Sequence, residues 1–365
     1  MPFDFLKKLK LPPLELEFLG HSPSVVGIDI GSESVKVVQL KKERERAILE
    51  TYGELKSERY FQAPGVRTLL QYRDEELKAL LSDVLREANV TTRRAIFAIP
   101  SASSFITLVH LPLLSDDEIR AAIPFEAKKY VPIPTAEVLL DWQIVREDQA
   151  ERRLSVLLVA VPQEVVLKLK RVAELVDLEL EGFEVESFSL VRALLGRELG
   201  AVMILNWGAI ATGLTIAAGR QIRLNHNIGR GSREITVTLS KSLGISIERA
   251  EEMKRQVGFS EKPEERQVRD IILPFIGSAL ADAERILRAY NRGTERKVEK
   301  IYLAGGGANL IGLVDHVSKH FGLETAIGNA FSRTVFPAFL QPLIGEIAPG
   351  FAVAVGLALR PITSA

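Results

Sequence analysis

The chain has no cysteine among its 365 residues, which excludes disulfides, thiolate metal sites and cysteine nucleophiles. It has no excess of either charge. Lysine plus arginine and aspartate plus glutamate both number 47, so a protein that binds nucleic acid by broad phosphate neutralisation is not expected. It has no hydrophobic run long enough to span a bilayer: the longest candidate, Phe351 to Leu359, is about half a span and ends at Arg360. Nor does the opening stretch read as a signal peptide. Lys7, Lys8 and Lys10 interrupt Phe3, Phe5, Leu6, Leu9 and Leu11, and no small-residue cleavage site follows. That opening stretch, residues 1–24, reads either as a short amphipathic arm at a membrane surface or as a terminus stopped by Pro12-Pro13. No Ser/His/Asp set or nucleophile elbow is present. His316 and His320 have metal-compatible spacing, but Val317 follows His316 where the zinc-protease motif needs glutamate. They read as a surface helix pair.

What is present is a chain long enough for two domains or more. Strand-like and helix-like segments alternate, which indicates an α/β fold. Val25–Ile30 and Val35–Leu40 form an opening hairpin, and Ile48–Leu55 continues the sheet. An amphipathic helix over Glu75–Ala88 and a buried strand over Ala95–Ile99 follow. Ser115 and Glu118 then form a capping box before a helix that Pro124 should kink. With the strands Val138–Val145 and Leu154–Val161, joined by the charged turn Arg146–Arg153, this helix reads as a small inserted unit. Pro162 starts the next helix.

Near residue 200 the opening pattern returns. Ala201–Leu205 is a strand, Asn206-Trp207-Gly208 a turn, Gly213–Ala217 a returning strand, and Gln221–Leu224 a third strand. This is a repeat of domain size, and two related lobes facing one another across a cleft would explain it. Helices follow at Glu234–Leu243, at Ser246–Val257 and, after a charged loop over 259–269, at Ile271–Arg292. Lys300–Leu303 is a strand, Leu310–Phe321 a helix, Gly322–Leu343 loop-rich, and Pro349 opens a last helix to Arg360.

The most informative string is Gly27-Ile-Asp-Ile-Gly-Ser-Glu-Ser-Val-Lys36. A strand ends at Asp29, turns at Gly31, and returns carrying Lys36. Gly31 lets the backbone turn without a Cβ clash, and the turn's N–H groups can converge on an anion. Ser32 and Ser34 add hydroxyls, and Lys36 adds a cation suited to phosphate. Asp29 would repel phosphate, so its natural task is to hold a hydrated divalent cation. The same string also fits an ordinary hairpin.

The second turn, Asn206 to Thr212, offers Gly208 for close backbone approach and Thr212 as a hydroxyl donor. Its strand ends in uncharged Asn206, where an aspartate would hold a cation or orient water. Gly305-Gly306-Gly307, before a helix that starts near Asn309, permits approach of a base and ribose, or is only a turn. Glu251 and Lys254 share a helix face and either bracket a nucleoside or form a surface ion pair.

These segments occur in an order that resembles the actin-like ATPase superfamily. Within it, Phe125-Glu-Ala-Lys-Lys-Tyr-Val-Pro-Ile-Pro134 and Ala354-Val-Gly-Leu-Ala-Leu-Arg360 resemble the PilM family of type IV pilus assembly proteins, relatives of the cell-division protein FtsA. Ala250-Glu-Glu-Met-Lys254 and Leu303-Ala-Gly-Gly-Gly-Ala308 extend the match across roughly residues 25–360.

The resemblance implies a two-lobed fold of duplicated ribonuclease-H-like domains with an FtsA-like inserted subdomain. The first lobe would span residues 25–104 and 162–199 with the C-terminal helix 349–360. The insert would span 105–161, and the second lobe 200–348 with a helical subdomain about 230–295. ATP with Mg would be the cofactor. Asp29, Gly31, Ser32, Glu33, Ser34 and Lys36 would form the first phosphate loop, with Asp29 on the Mg through water. Asn206, Gly208 and Thr212 would form the second, and Glu251, Lys254, Gly305, Gly306, Gly307 and Asn309 would surround the adenosine.

Relatives carry aspartate where Asn206 stands, which implies slow or absent hydrolysis. The implied function is a cytoplasmic scaffold under the inner membrane. It would bind the N-terminal peptide of a PilN-like membrane protein and other pilus platform components, with possible homo-oligomers, no nucleic acid, and membrane contact only through the partner. Alternatives are a small-molecule kinase, with Asp141 as its carboxylate, and an FtsA-like filament former.

Overall fold

The computed structural model describes residues 24–60, 68–148 and 152–363. The expected arm, Ser24 apart, lies outside these residues, as do residues 149–151 of the charged turn. The described chain forms two units. The first holds the residues up to Arg192, with Arg333–Phe336 and the segment from Val353 onward, and the second holds Ala193–Ser332 and Pro337–Ala352.

In the first unit, strands β1 (Ser24–Ile30), β2 (Ser34–Glu43) and β3 (Arg46–Lys56) run as an antiparallel meander. β4 (Arg94–Ile99) then pairs parallel with β1. Helix α1 (Asp74–Glu87) packs Leu77, Leu80, Leu81 and Val84 onto this sheet. An inserted three-stranded sheet comes next in the chain. It is built from β5 (Phe105–Pro112), β6 (Val138–Asp148) and β7 (Arg153–Pro162) in the order β5-β7-β6. Helix α2 (Asp116–Ala127) closes one face of it with Ile119, Ile123 and Ala127 against Val109, Leu111, Val156 and Leu158. Its capping box forms as expected, and the helix runs through Pro124 for three further residues. After α3 (Gln163–Leu175), β8 (Glu179–Val185) adds to β4 in parallel and leads into α4 (Glu186–Leu195).

The second unit repeats the plan. β9 (Ala201–Trp207), β10 (Thr212–Ala218) and β11 (Gln221–Ile228) form a meander. Helices α5 (Ser232–Leu243), α6 (Ile247–Val257) and α7 (Arg266–Arg292) follow. β12 (Val298–Ala304) pairs parallel with β9, and after α8 (Leu313–Phe321) strand β13 (Glu324–Ile327) pairs parallel with β12. The sheet order is β11-β10-β9-β12-β13, the same plan as β3-β2-β1-β4-β8. One short strand, β14 (Thr334–Val335), extends the first sheet at β3, and α9 (Gln341–Ile347) belongs to the second unit. The side of α7 that carries Val268, Ile272, Ile276, Leu280, Ala283 and Leu287 is buried in the second core.

The last helix, α10 (Ala352–Thr363), explains the chain's longest apolar run. Residues Ala352–Leu359 are buried throughout, as a core helix that is apolar on every side must be. It lies against β1 so closely that a Cβ on Gly27 would collide with the Ala354 carbonyl. No described helix is long and apolar enough to cross a membrane.

Strands β5, β8, β13 and β14 were not legible beforehand. β13 and β14 fall in the stretch expected to be loop-rich, and α7 begins within the stretch expected to be a charged loop. β8 has the sequence Glu-Leu-Glu-Gly-Phe-Glu-Val, whose acids suit the edge position it takes.

Candidate functional site

Two tight turns stand at equivalent places in the two sheets. At the tip of β1–β2, Gly31 N–H donates to the Ser34 carbonyl at 3.0 Å; at the tip of β9–β10, Gly208 N–H donates to the Ala211 carbonyl at 3.0 Å. Both glycines are required by close approach. A Cβ on Gly31 would stand 2.9 Å from Ser34 O, and one on Gly208 2.8 Å from Ala211 O. The reason at Gly31 is therefore this carbonyl and not a left-handed backbone, which it does not adopt.

Strand parity decides what each turn presents. Asp29 pairs with Lys36 across β1–β2, and Asn206 pairs with Gly213 across β9–β10. In this register Gly213 stands where Lys36 stands, Ala211 where Ser34 stands, and Ala209 and Ile210 where Ser32 and Glu33 stand. Thr212 stands where buried Val35 stands. It is likewise buried, and its hydroxyl donates to the Arg230 carbonyl at 2.8 Å. The expected phosphate donor is thus a strut between β10 and the turn before α5. The second turn has lost every charge and hydroxyl that the first one carries.

The first turn gathers its groups tightly. Lys36 Nζ donates to Ser34 Oγ at 2.7 Å and pairs with Glu54 at 3.2 Å. Asp29 is half-buried, and burial followed by the Glu54 charge pushes its carboxyl up while Lys36 opposes this. A third carboxylate, which the sequence did not reveal, lies within range of the Asp29 charge. Glu186 opens α4 at the end of β8, as Asp29 nears the end of β1. It accepts the Ser101 N–H at 3.2 Å. Burial first, then the Asp29 charge, push it up to about 8, against the Ser101 hydrogen bond and Lys36. Its only sequence signal was an acid ahead of Ser187, and that means little until β8 is known to be parallel to β4.

This is an environment short of positive charge: two carboxyls are held above their ordinary range, and the nearest ammonium is already shared with Glu54. A hydrated divalent cation carrying phosphate oxygens fits that donor set, because Mg2+ keeps most of its waters and takes one or two carboxylates. Direct ligation by protein alone does not fit, since no cluster of three His, Cys, Asp or Glu ligands exists among the described residues.

The second unit brings most of its candidates together. Gly305, at φ 83°, lies against the Trp207 carbonyl at 2.5 Å and Asn206 Oδ1 at 2.6 Å, as measured from the position its Cβ would take. Gly307 approaches the Trp207 and Ser232 side chains, while the space around Gly306 is open. Ser232 N–H donates to the Gly208 carbonyl at 2.9 Å. Lys254 donates to the Ser232 carbonyl at 3.2 Å, Thr236 Oγ1 at 2.9 Å and Glu251 Oε2 at 2.6 Å. Burial works against the Glu251 charge, but the Lys254 ammonium, with hydrogen bonds from Lys254, Thr236 Oγ1 and Arg255, brings this half-buried carboxyl down to about 2. The pair is therefore a buried brace between α5 and α6, not the surface ion pair that spacing also allowed. Asn309 turns elsewhere, donating to the Glu346 carbonyl at 2.7 Å. Asp141, in β6, is buried and accepts the Trp142 N–H at 2.9 Å, a strand-internal role.

Two sheets of identical order, each with a glycine-tipped hairpin, define the actin-like ATPase fold. Solved structures agree. The chain is similar to EutJ, the ethanolamine utilization protein of Carboxydothermus hydrogenoformans (16% identity, 98% of this chain and 94% of that one, TM-score 0.57). It is also similar to MreB 5 of Spiroplasma citri bound to AMPPNP (13% identity, 92% and 95%, TM-score 0.53). A PilM–PilN type IV pilus biogenesis complex contains a chain of higher similarity (22% identity, 93% and 98%, TM-score 0.80). The model of the type IV pilus assembly protein PilM family matches residues 27–362, and the chain belongs to that family.

Proposed function

We propose that this chain is an ATP-binding scaffold of type IV pilus assembly that turns ATP over slowly or not at all. The observation that carries the reading is the asymmetry of the two turns. The first collects Lys36, Ser34, Asp29 and Glu186 around a tight backbone turn, as a metal-bearing polyphosphate requires. The second keeps the backbone geometry without a charged side chain, so it supports contact with an anion better than activation of water. Mg2+ would be held by Asp29 and Glu186 through water and would neutralise phosphate charge. In the second unit, the open backbone at Gly306, next to Gly307, which approaches the Ser232 that Lys254 braces, suits a nucleoside.

Family membership and the solved complex of a PilM with PilN support a partner of the same kind here: the N-terminal peptide of a PilN-like membrane protein. That contact would place the chain at the cytoplasmic face of the inner membrane, with further platform components and copies of itself. Nucleotide would act by favouring the peptide-binding state, which requires both ligands to prefer that state. Calorimetry with Mg-ATP, with and without the N-terminal peptide of the neighbouring pilus membrane protein, tests both bindings and their coupling. No heat with Mg-ATP would overturn the nucleotide reading, and equal peptide affinity with and without it would overturn the coupling. The kinase alternative finds less support, because Asp141 is buried and one of its oxygens accepts the N–H of the next residue in its strand.

A further inference from the structure

The first turn has its carbonyls tied from the protein side. Ser34 O accepts from Gly31 N–H at 3.0 Å, and Glu33 O accepts from Ser57 N–H at 2.9 Å. Ser32 O accepts from the hydroxyl of Tyr72 at 3.1 Å, with Gly31 O further off at 3.5 Å. Tyr72 is fully buried and held at its other end as well. Its own carbonyl accepts from Lys168 Nζ at 2.5 Å, and that buried ammonium pairs with Asp74, which Arg171 also engages at 3.2 Å.

A trans peptide points its C=O and the next N–H to opposite sides. Holding Ser32 O toward Tyr72 therefore directs the Glu33 N–H away from it. The second turn fixes the equivalent carbonyl by an unrelated donor: Ala209 O accepts from the main-chain Arg233 N–H at 3.0 Å. The same peptide is oriented in both turns, by the first turn of a helix in one and by a single side-chain hydroxyl in the other.

Resting on the nucleotide reading above, we propose that Tyr72 is a positioning residue whose hydroxyl sets the polarity of the first turn, keeping the Ser32–Glu33 peptide turned so that its N–H meets phosphate. Tyr72 touches no ligand itself. Its effect belongs to the phosphates alone, because the nucleoside is met by other residues.

The test is the variant Tyr72→Phe, which keeps the ring and removes the hydroxyl. Mg-ATP affinity is measured by calorimetry and adenosine affinity by ligand-observed NMR, with thermal unfolding of the ligand-free variant as a check. The expected result is a loss of about tenfold for Mg-ATP, the worth of one hydrogen bond, with adenosine unchanged. Equal losses for both ligands, or no loss for either, would overturn the inference while leaving nucleotide binding intact. No binding of Mg-ATP by the unaltered chain would overturn the nucleotide reading and this inference together. Should Tyr72→Phe fail to fold, Lys168→Gln loosens the tyrosine's backbone and is expected to weaken Mg-ATP alone by a smaller factor. Unchanged Mg-ATP affinity in that variant would equally overturn it.

Discussion

Replacing Glu186 by glutamine should stabilise the first unit in alkali and do little in acid. The carboxyl is raised from 4.5 to about 8, first by burial and then by the Asp29 charge. Between those two pH values the folded chain holds a proton that the unfolded chain has released. This group's contribution is therefore fully present below about pH 4.5 and is lost as pH rises through about 8. The distance between the two values corresponds to at most ~5 kcal/mol. Partial exposure and the Asp29 carboxyl, which shares the burden, reduce the expected figure to about 2 kcal/mol.

Glutamine keeps the shape and can still accept the Ser101 N–H through its carbonyl oxygen. The assay is urea unfolding followed by tryptophan fluorescence. Only Trp142 and Trp207 are present, so a Trp207→Phe background leaves Trp142 to report the unit that carries Glu186. At pH 8.5 the variant should gain about 2 kcal/mol, or roughly 4–8 °C in Tm, and at pH 5 it should match the parent within about 0.5 kcal/mol. An equal gain at both pH values would refute a titrating carboxyl as the cause. No gain at pH 8.5 would refute the burial argument.

Lys36→Ala should weaken Mg-ATP by about 1 kcal/mol or more through loss of a charge-assisted hydrogen bond, and unchanged affinity in calorimetry would remove the first turn as a phosphate site. Asn206→Asp should raise any ATPase rate, read as phosphate release, by about tenfold; no gain places the limiting step outside the second turn. Gly27→Ala should destabilise the first unit by about 2–3 kcal/mol in denaturant unfolding, because the new Cβ meets Ala358 N and Leu357 Cβ, each at 2.9 Å, and has nowhere to go between β1 and α10.

Much of the first turn was legible in sequence because its chemistry is contiguous. Asp29, Gly31, Ser34 and Lys36 lie within eight positions, and a hairpin's period of two brings Asp29 and Lys36 opposite one another. At Thr212, residue type and strand parity point to different tasks. Its parity makes it the equivalent of Val35, so it faces inward, where a hydroxyl must find a protein partner. Glu186 and Tyr72 were not legible at all. Each reaches the turn from a different element, β8–α4 and the residues before α1, and only pairing of distant segments brings them there.

By itself, then, the sequence determined the alternation of strands and helices, the two glycine-tipped hairpins and their repetition, because these depend on local periodicity and on sterics within a few residues. The tertiary structure alone decided which side chains share a dielectric environment, since burial and charge act through space. It made Glu186 a proton-holding neighbour of Asp29, made Glu251 and Lys254 a buried brace, and gave the orientation of one peptide to a tyrosine far along the chain.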